Sequence, residues 1–151
     1  MTIDYEIRGF FELERPQDLL TKLRHDHRRL GANPYDSYAA FDFFVTANSL
    51  ADWVRQGTTR RAETIPRICE QLADGTKHFI LTSPHRGVSG AMQIPGATSE
   101  QATSGATRAA APRTLAVPLG PAEAAELGQN AISVLDLAAP VLAYWKARIG
   151  V

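Results

Sequence analysis

A single cysteine, Cys69, stands among 151 residues, so no intrachain disulfide can form and a secreted disulfide scaffold is excluded. No stretch approaches the ~18 uninterrupted apolar residues of a bilayer-crossing helix, which argues against a membrane span. Excess charge of either sign is missing too: sixteen Lys and Arg balance sixteen Asp and Glu. A general nucleic-acid binder carries a strongly basic footprint, and this chain has none. The residues from Met1 to Glu6 lack the basic and then apolar regions of a secretory leader. These absences together lead to the expectation of a cytoplasmic protein.

What is present is enough apolar material for a core. Hydrophobic residues make up 44% of the chain, far from the composition of a disordered one. A compact chain of this length buries roughly 70% of the surface its unfolded form exposes. The expectation is a single domain over residues 1–151, with no need of a structural metal.

The patterning alternates first with period two and then with period 3.6. Ile3, Tyr5 and Ile7 point one way and Asp4, Glu6 and Arg8 the other, as in a half-buried strand. From Pro16, suited to a first helical turn, Leu19, Leu20, Leu23, His27 and Leu30 form one stripe, so a helix is expected over 16–30. The segment from Ser37 to Arg55 is apolar over most of its circumference. Ala40, Phe43, Ala47 and Leu50 lie on one side, Tyr38, Phe41 and Val45 on nearly the opposite side, and Asp42, Thr46, Ser49 and Trp53 make a narrow polar stripe. Such a helix is expected at the centre of the domain. A third helix is expected over 64–77, with Ile65, Ile68, Cys69 and Leu72 inward and Arg67, Gln71 and Asp74 on the opposite face.

After residue 77 the period changes. His78–Ser83 and Val88–Ile94 read as strands around a Pro84–Gly87 turn, and Thr114–Leu119 reads as another strand with Pro118 at an edge or an end. The small polar residues of 95–112 read as a long mobile loop. Pro121–Gly128 reads as a short helix. A last helix is expected from about Asn130 to Arg148, with Ile132, Leu135, Ala138, Leu142 and Ile149 inward and Pro140 bending or splitting it. The predicted fold class is α+β: a bundle of three to four helices with a small antiparallel sheet on one side.

Few residues carry chemistry. His25-Asp26-His27 suggests a metal site, but residues i and i+2 sit about 200° apart on a helix. The two imidazoles cannot share an ion, and no metal is expected. No phosphate loop or dinucleotide fingerprint occurs, so no cofactor is implied. Cys69 lies on an apolar helix face and reads as a small buried hydrophobe. The serine, histidine and arginine of Thr82–Gly87 lack a nucleophile elbow and read as a solvated turn.

The sharper signal is a pair of polar residues on an apolar helix. Asn48 and Asp52, at i and i+4, continue the face of Phe41 and Val45. If that face is buried, both need partners, and Asp52 needs a cation or several N–H donors. Lys77 and His78 are the nearest expected source. Either the group is a buried network locking two helices, or Asp52, Trp53, Lys77 and His78 surround a pocket. The network reading expects Asp52→Ala to lower the melting temperature, and an unchanged value would count against it.

Three short motifs carry a resemblance. Ala39–Val54 with Thr46-Ala-Asn-Ser-Leu-Ala-Asp-Trp53, the Asp74-Gly-Thr-Lys-His-Phe79 junction, and Tyr144-Trp145 on the last helix resemble a group of small uncharacterised bacterial proteins. That resemblance implies no particular activity. The chain also resembles the helical HEPN class of nucleotide-binding and ribonuclease domains. That class keeps an Arg a few residues before a His on a late helix, whereas Arg67 precedes His78 by eleven.

Two functions follow as expectations. The first is a non-enzymatic domain that binds a protein partner or a second copy of itself, resting on neutral charge and broad apolar helices. The second is a HEPN-like nucleotide-binding or ribonuclease domain. Its candidate site is Arg67, Lys77 and His78, Asp52 orients the histidine, and Asn48 and Trp53 are candidate ligand contacts. The sequence leaves open whether the chain is an enzyme.

Overall fold

The computed structural model describes residues 9–77 and 113–150 together with the strand at 92–95. The expected strands at 3–8 and 78–83 (with His78), the turn at 84–87, residues 88–91 of the next expected strand and the loop from 96 to 112 lie outside the described residues.

The helices begin where local chemistry starts them. In α1 (Pro16–Ala32), Pro16 takes a first-turn position, and the Asp18 carboxylate accepts backbone N–H bonds from Glu14 and Arg15 at 3.1 and 3.0 Å. These bonds and the Arg15 guanidinium hold the Asp18 carboxyl below its ordinary value, the guanidinium contributing most. In α2 (Ser37–Trp53), Asp36 caps the N-terminus by accepting from Tyr38 N at 2.9 Å. A short 3-10 turn, Gly57–Ala62, leads to α3 (Thr64–Lys77). The chain then supplies β1 (Met92–Pro95), β2 (Arg113–Pro118), α4 (Pro121–Leu127), β3 (Ala131–Ser133) and α5 (Val134–Ile149).

The sheet is a three-stranded antiparallel meander in the order β1-β2-β3. Met92 pairs with Ala116, and Ala116 in turn with Ser133. Pro118 ends the central strand, where a missing N–H interrupts no ladder. The helices pack as α1 on α2, α2 on α3, and α5 against all three. The result is the expected α+β arrangement of a helical bundle with a small antiparallel sheet.

One core cluster joins the helices to the sheet. Phe43 and Leu50 of α2, Leu23 of α1, Ile68 of α3, Val117 of β2 and Trp145 of α5 are all fully buried. Truncating a side chain of the size of Phe43 or Trp145 in such a core costs about 3–5 kcal/mol.

Three expectations are corrected. First, α2 is central but its outer half is open: Tyr38 and Phe41 are 79% and 48% exposed. The neighbours cover only the side that carries Ala40, Phe43, Ala47 and Leu50. Second, the face of α3 expected to meet solvent is largely covered, because Arg67 reaches α4 and Glu70 and Gln71 are buried. Third, α5 starts four residues late. Residues 131–133 form β3, and Ser133 then caps the helix by accepting from Asp136 N. That start turns Val134, Leu137, Val141 and Trp145 inward, while Leu135 and Leu142 are only partly buried. The helix runs through Pro140 as one element.

Cys69 is fully buried, and burial pushes its thiol up to about 12. The thiolate is the reactive form. Native protein at pH 8 is therefore expected to resist a thiol-specific chromogenic reagent, with full labelling on unfolding in guanidinium. A pH effect follows with a definite sign. An unfolded cysteine releases its proton from about pH 8.5–9, whereas the folded thiol holds it to about 12. Stability therefore falls as pH rises through that window, and Cys69→Ala is expected to flatten the fall in a denaturant titration series.

Candidate functional site

The outer half of α2 borders a cleft of about 390 Å³. Val45, Ser49 and Trp53 form the α2 wall, Leu19 and Lys22 the α1 wall, and Phe10 and Leu13 the third side. Its walls are mostly apolar and aromatic, with a few polar groups among them.

The third wall comes from a tight turn. Phe10 and Leu13 exchange backbone hydrogen bonds at 2.8 and 2.9 Å. Gly9 has φ +72, and a Cβ there would lie 2.1 Å from the Leu13 carbonyl oxygen, so only glycine fits. Phe11 has φ 51, a conformation uncommon for a bulky residue, and its side chain is 81% exposed. It meets Phe10 edge-on, with ring centroids 4.7 Å apart.

At the α1–α2 seam beside the cleft lies a buried charge. Asp26 is 1% exposed. Its Oδ2 accepts from Lys22 Nζ at 2.6 Å and lies 2.7 Å from Thr46 Oγ1, and Lys22 donates to the same hydroxyl at 2.9 Å. The Asp42 carbonyl oxygen is 2.8 Å from Thr46 Oγ1, so the single hydroxyl proton serves two acceptors. Asp26 Oδ1 has no hydrogen bond, and the Arg29 guanidinium stands 3.9 Å from it. Arg29 in turn binds Asp42 at 2.6 Å, a bond that raises the guanidinium's affinity for its proton. A buried ion pair of this kind is weak evidence for net stability, and its contact with Thr46 joins α1 to α2 across the seam.

A second polar cluster ties the 3-10 turn to α3, α4 and α5. Arg67 binds Glu123, which is 2% exposed, through Nε at 2.8 Å and one terminal nitrogen at 2.5 Å, and donates to the Arg61 carbonyl. Arg61 forks onto Glu70. Tyr144 donates to Glu63 and accepts from Gln56 Nε2. Burial pushes the Tyr144 phenol up, and its bond to the Glu63 carboxylate adds to the shift.

The structure separates the residues singled out in the sequence. Asn48 and Asp52 do share a partner, but it is Arg60, which lies 3.3 Å from Asn48 Oδ1 and 2.6 Å from Asp52 Oδ1. The Asp52 side chain is 61% exposed, so the condition of a buried face is not met and the carboxylate sits on the open half of α2. Trp53 is partly buried on the cleft wall, apart from Arg67, which is committed to Glu123. Lys77 is exposed at the last residue of α3, and His78 lies outside the described residues. His25 is exposed, and His27 is partly buried against Phe43 with centroids 6.1 Å apart. Among the described residues, no group of three or more His, Cys, Asp or Glu side chains could hold a metal ion. No helix among them is long and apolar enough to cross a membrane.

The residues the sequence reading passes over are Asp26, Lys22 and the Phe10-Phe11 turn. The i,i+4 spacing of Lys22 and Asp26 is a visible signal of a helix ion pair. Burial of Asp26 follows from its place across from Thr46, 20 positions away, which helical periodicity alone does not give.

Energetically, the two acidic residues should differ in weight. Asp26→Ala leaves Thr46 and Lys22 without their carboxylate, with an expected loss of about 2–3 kcal/mol, or roughly 5–10 °C in melting temperature. Asp52→Ala removes a 61% exposed carboxylate, and Arg60, itself 13% exposed, keeps its bonds to the Gly57 carbonyl and Asn48 Oδ1, so the expected cost is about 1 kcal/mol. Thermal melts of the two variants side by side check the ordering, and equal losses would contradict it.

Comparison with protein-family models, with curated proteins and with solved structures finds no match to this chain.

Proposed function

We propose that the chain is a non-enzymatic interaction domain that associates with a second copy of itself through the open side of α1 and α2. One observation carries this reading. The five exposed large hydrophobics among the described residues (Phe10, Phe11, Tyr35, Tyr38 and Phe41) are all aromatic, and all fall between residues 10 and 41. Tyr38 and Phe41 stand one turn apart on the outer half of α2. Asp42, i+4 from Tyr38, lies on the cleft that Phe10 closes from the other side. Exposed aromatic residues concentrated in one segment support an association site, and aromatic residues are enriched at interface centres.

The chain carries no net charge, so two copies meet without net repulsion. The ion pairs bordering the aromatic surface, Arg29 with Asp42 and Arg60 with Asp52, are internally neutralised and add no like-charge penalty to a two-fold contact.

The nuclease-type reading draws no support from this geometry. Arg67 is spent on Glu123 in a structural contact, and Asp52 answers to Arg60.

Sedimentation velocity across micromolar concentrations is expected to show a species of twice the 16.5 kDa chain mass. The double variant Tyr38→Ser with Phe41→Ser should weaken it at least about tenfold, the effect of ~1.4 kcal/mol. A wild-type chain that stays monomeric up to millimolar concentration would overturn the reading.

A further inference from the structure

We infer that the lock of this association is reciprocal: Phe11 of each copy enters the cleft of the other, and Glu12 meets Lys22 at its mouth. The inference rests on the self-association reading and specifies its contact.

The knob is built by the turn. Phe11 is the most exposed large hydrophobic side chain among the described residues, at 81%, and sits at φ 51. A bulky residue in left-handed backbone carries strain, and strain of this sort persists where surrounding structure imposes it and clusters at binding sites. The Gly9–Leu13 turn imposes it here, because its closure depends on the paired Phe10 and Leu13 backbones. The Phe11 ring meets the Phe10 ring edge-on, with centroids 4.7 Å apart.

The hole lies beside the knob. Phe10, Leu13, Leu19, Val45 and Trp53 give it apolar walls, and about 390 Å³ is room for a benzyl side chain. Because Phe10 lines the hole while its neighbour Phe11 is the knob, both lie close to one point of the surface. A two-fold axis near that point brings each knob to the other copy's hole, which is the condition for an isologous contact.

Charge fits the same arrangement. Glu12 follows the knob, is exposed, and has no ion pair among the described residues. Lys22 lines the hole, with its side chain 40% exposed. Two of its three ammonium protons go to Asp26 and Thr46, which leaves one for an incoming carboxylate. Asp42 on the same wall is neutralised by Arg29 at 2.6 Å and so does not oppose the approach. An aromatic side chain followed by an acid thus meets apolar walls and the remaining N–H of an ammonium already paired with Asp26.

The test places a photoreactive p-benzoylphenylalanine at position 11 and irradiates a mixture of light and isotopically heavy chains. Inter-chain crosslinks to Leu19, Val45, Ser49 or Trp53 are expected. Phe11→Gly suits φ 51, so it should keep the wild-type circular dichroism while raising the dimer dissociation constant about 30-fold, the scale of an interface anchor. Glu12→Lys should weaken the dimer as well, and added salt should weaken the wild type more than Glu12→Gln. A wild-type dimer that crosslinks elsewhere, or that is indifferent to Phe11→Gly, overturns the lock and leaves self-association standing. A wild-type monomer with crosslinks only within one chain overturns both.

Discussion

The carboxylate of Asp26 sits at the seam of α1 and α2 with almost no access to water, and the placement of the two helices depends on it. A buried carboxylate is tolerated only with compensating partners. Lys22, one turn earlier on the same helix, supplies the charge, and Thr46 of α2 supplies the hydroxyl. Sliding α2 by a single residue would turn Thr46 away and leave Asp26 without its cross-helix bond. The apolar contacts of Leu23, Phe43 and Leu50 are non-directional and tolerate several registers. The hydroxyl–carboxylate contact tolerates one. Register in turn decides which half of α2 is covered, and hence that Tyr38, Phe41 and Val45 face outward beside Lys22.

The second polar cluster works at the other end of the bundle by a different balance. The sheet interrupts the helices between α3 and α4, and the guanidinium of Arg67 reconnects them by reaching Glu123, 56 positions later. This pair is screened from water on both sides, at 18% and 2% side-chain exposure, so its geometry counts for more than that of Arg60 and Asp52, where the carboxylate is 61% exposed. Around it Arg61 forks onto Glu70, and Tyr144 joins Glu63 to Gln56, so the cluster is held by side chains bonded to one another.

The helices were legible in the sequence because their signals are local. Pro16 and the leucine stripe mark α1, and α3 falls on 64–77 as its periodicity predicts. The short helix from Pro121 was legible for the same reason, with Pro at its start and Gly128 in left-handed backbone after its end. The phase of α5 was not. Leu135 and Leu142 compete with Leu137 and Val141 as an apolar stripe, and the choice is made by Ser133 capping the helix directly after a strand. The candidate site was less legible still. Asn48 and Asp52 stand out as polar residues on an apolar helix, yet their side of α2 faces solvent, which periodicity cannot determine when both sides are apolar. Asp26, the carboxylate that is in fact buried, is hidden between two histidines and gains its meaning from a residue on another helix.

Why the aromatic surface lies where it does follows from the turn before α1. Closing Phe10 on Leu13 requires a left-handed Gly9, since a β-carbon would strike the Leu13 carbonyl, and it carries the chain into the left-handed conformation of Phe11. A turn of the same length with Asn or Gly at position 11 would close with less strain and expose less apolar area. A phenylalanine there therefore adds cost twice, in backbone conformation and in exposed aromatic surface, and its own chain offers it little beyond the edge of Phe10. On the self-association reading both costs are recovered in one contact, because the turn already fixes the backbone that presents the ring. Preorganisation of the turn by Gly9 and of the opposing wall by the Asp26–Thr46 register then become two halves of one requirement: each copy must present a rigid knob and a rigid hole.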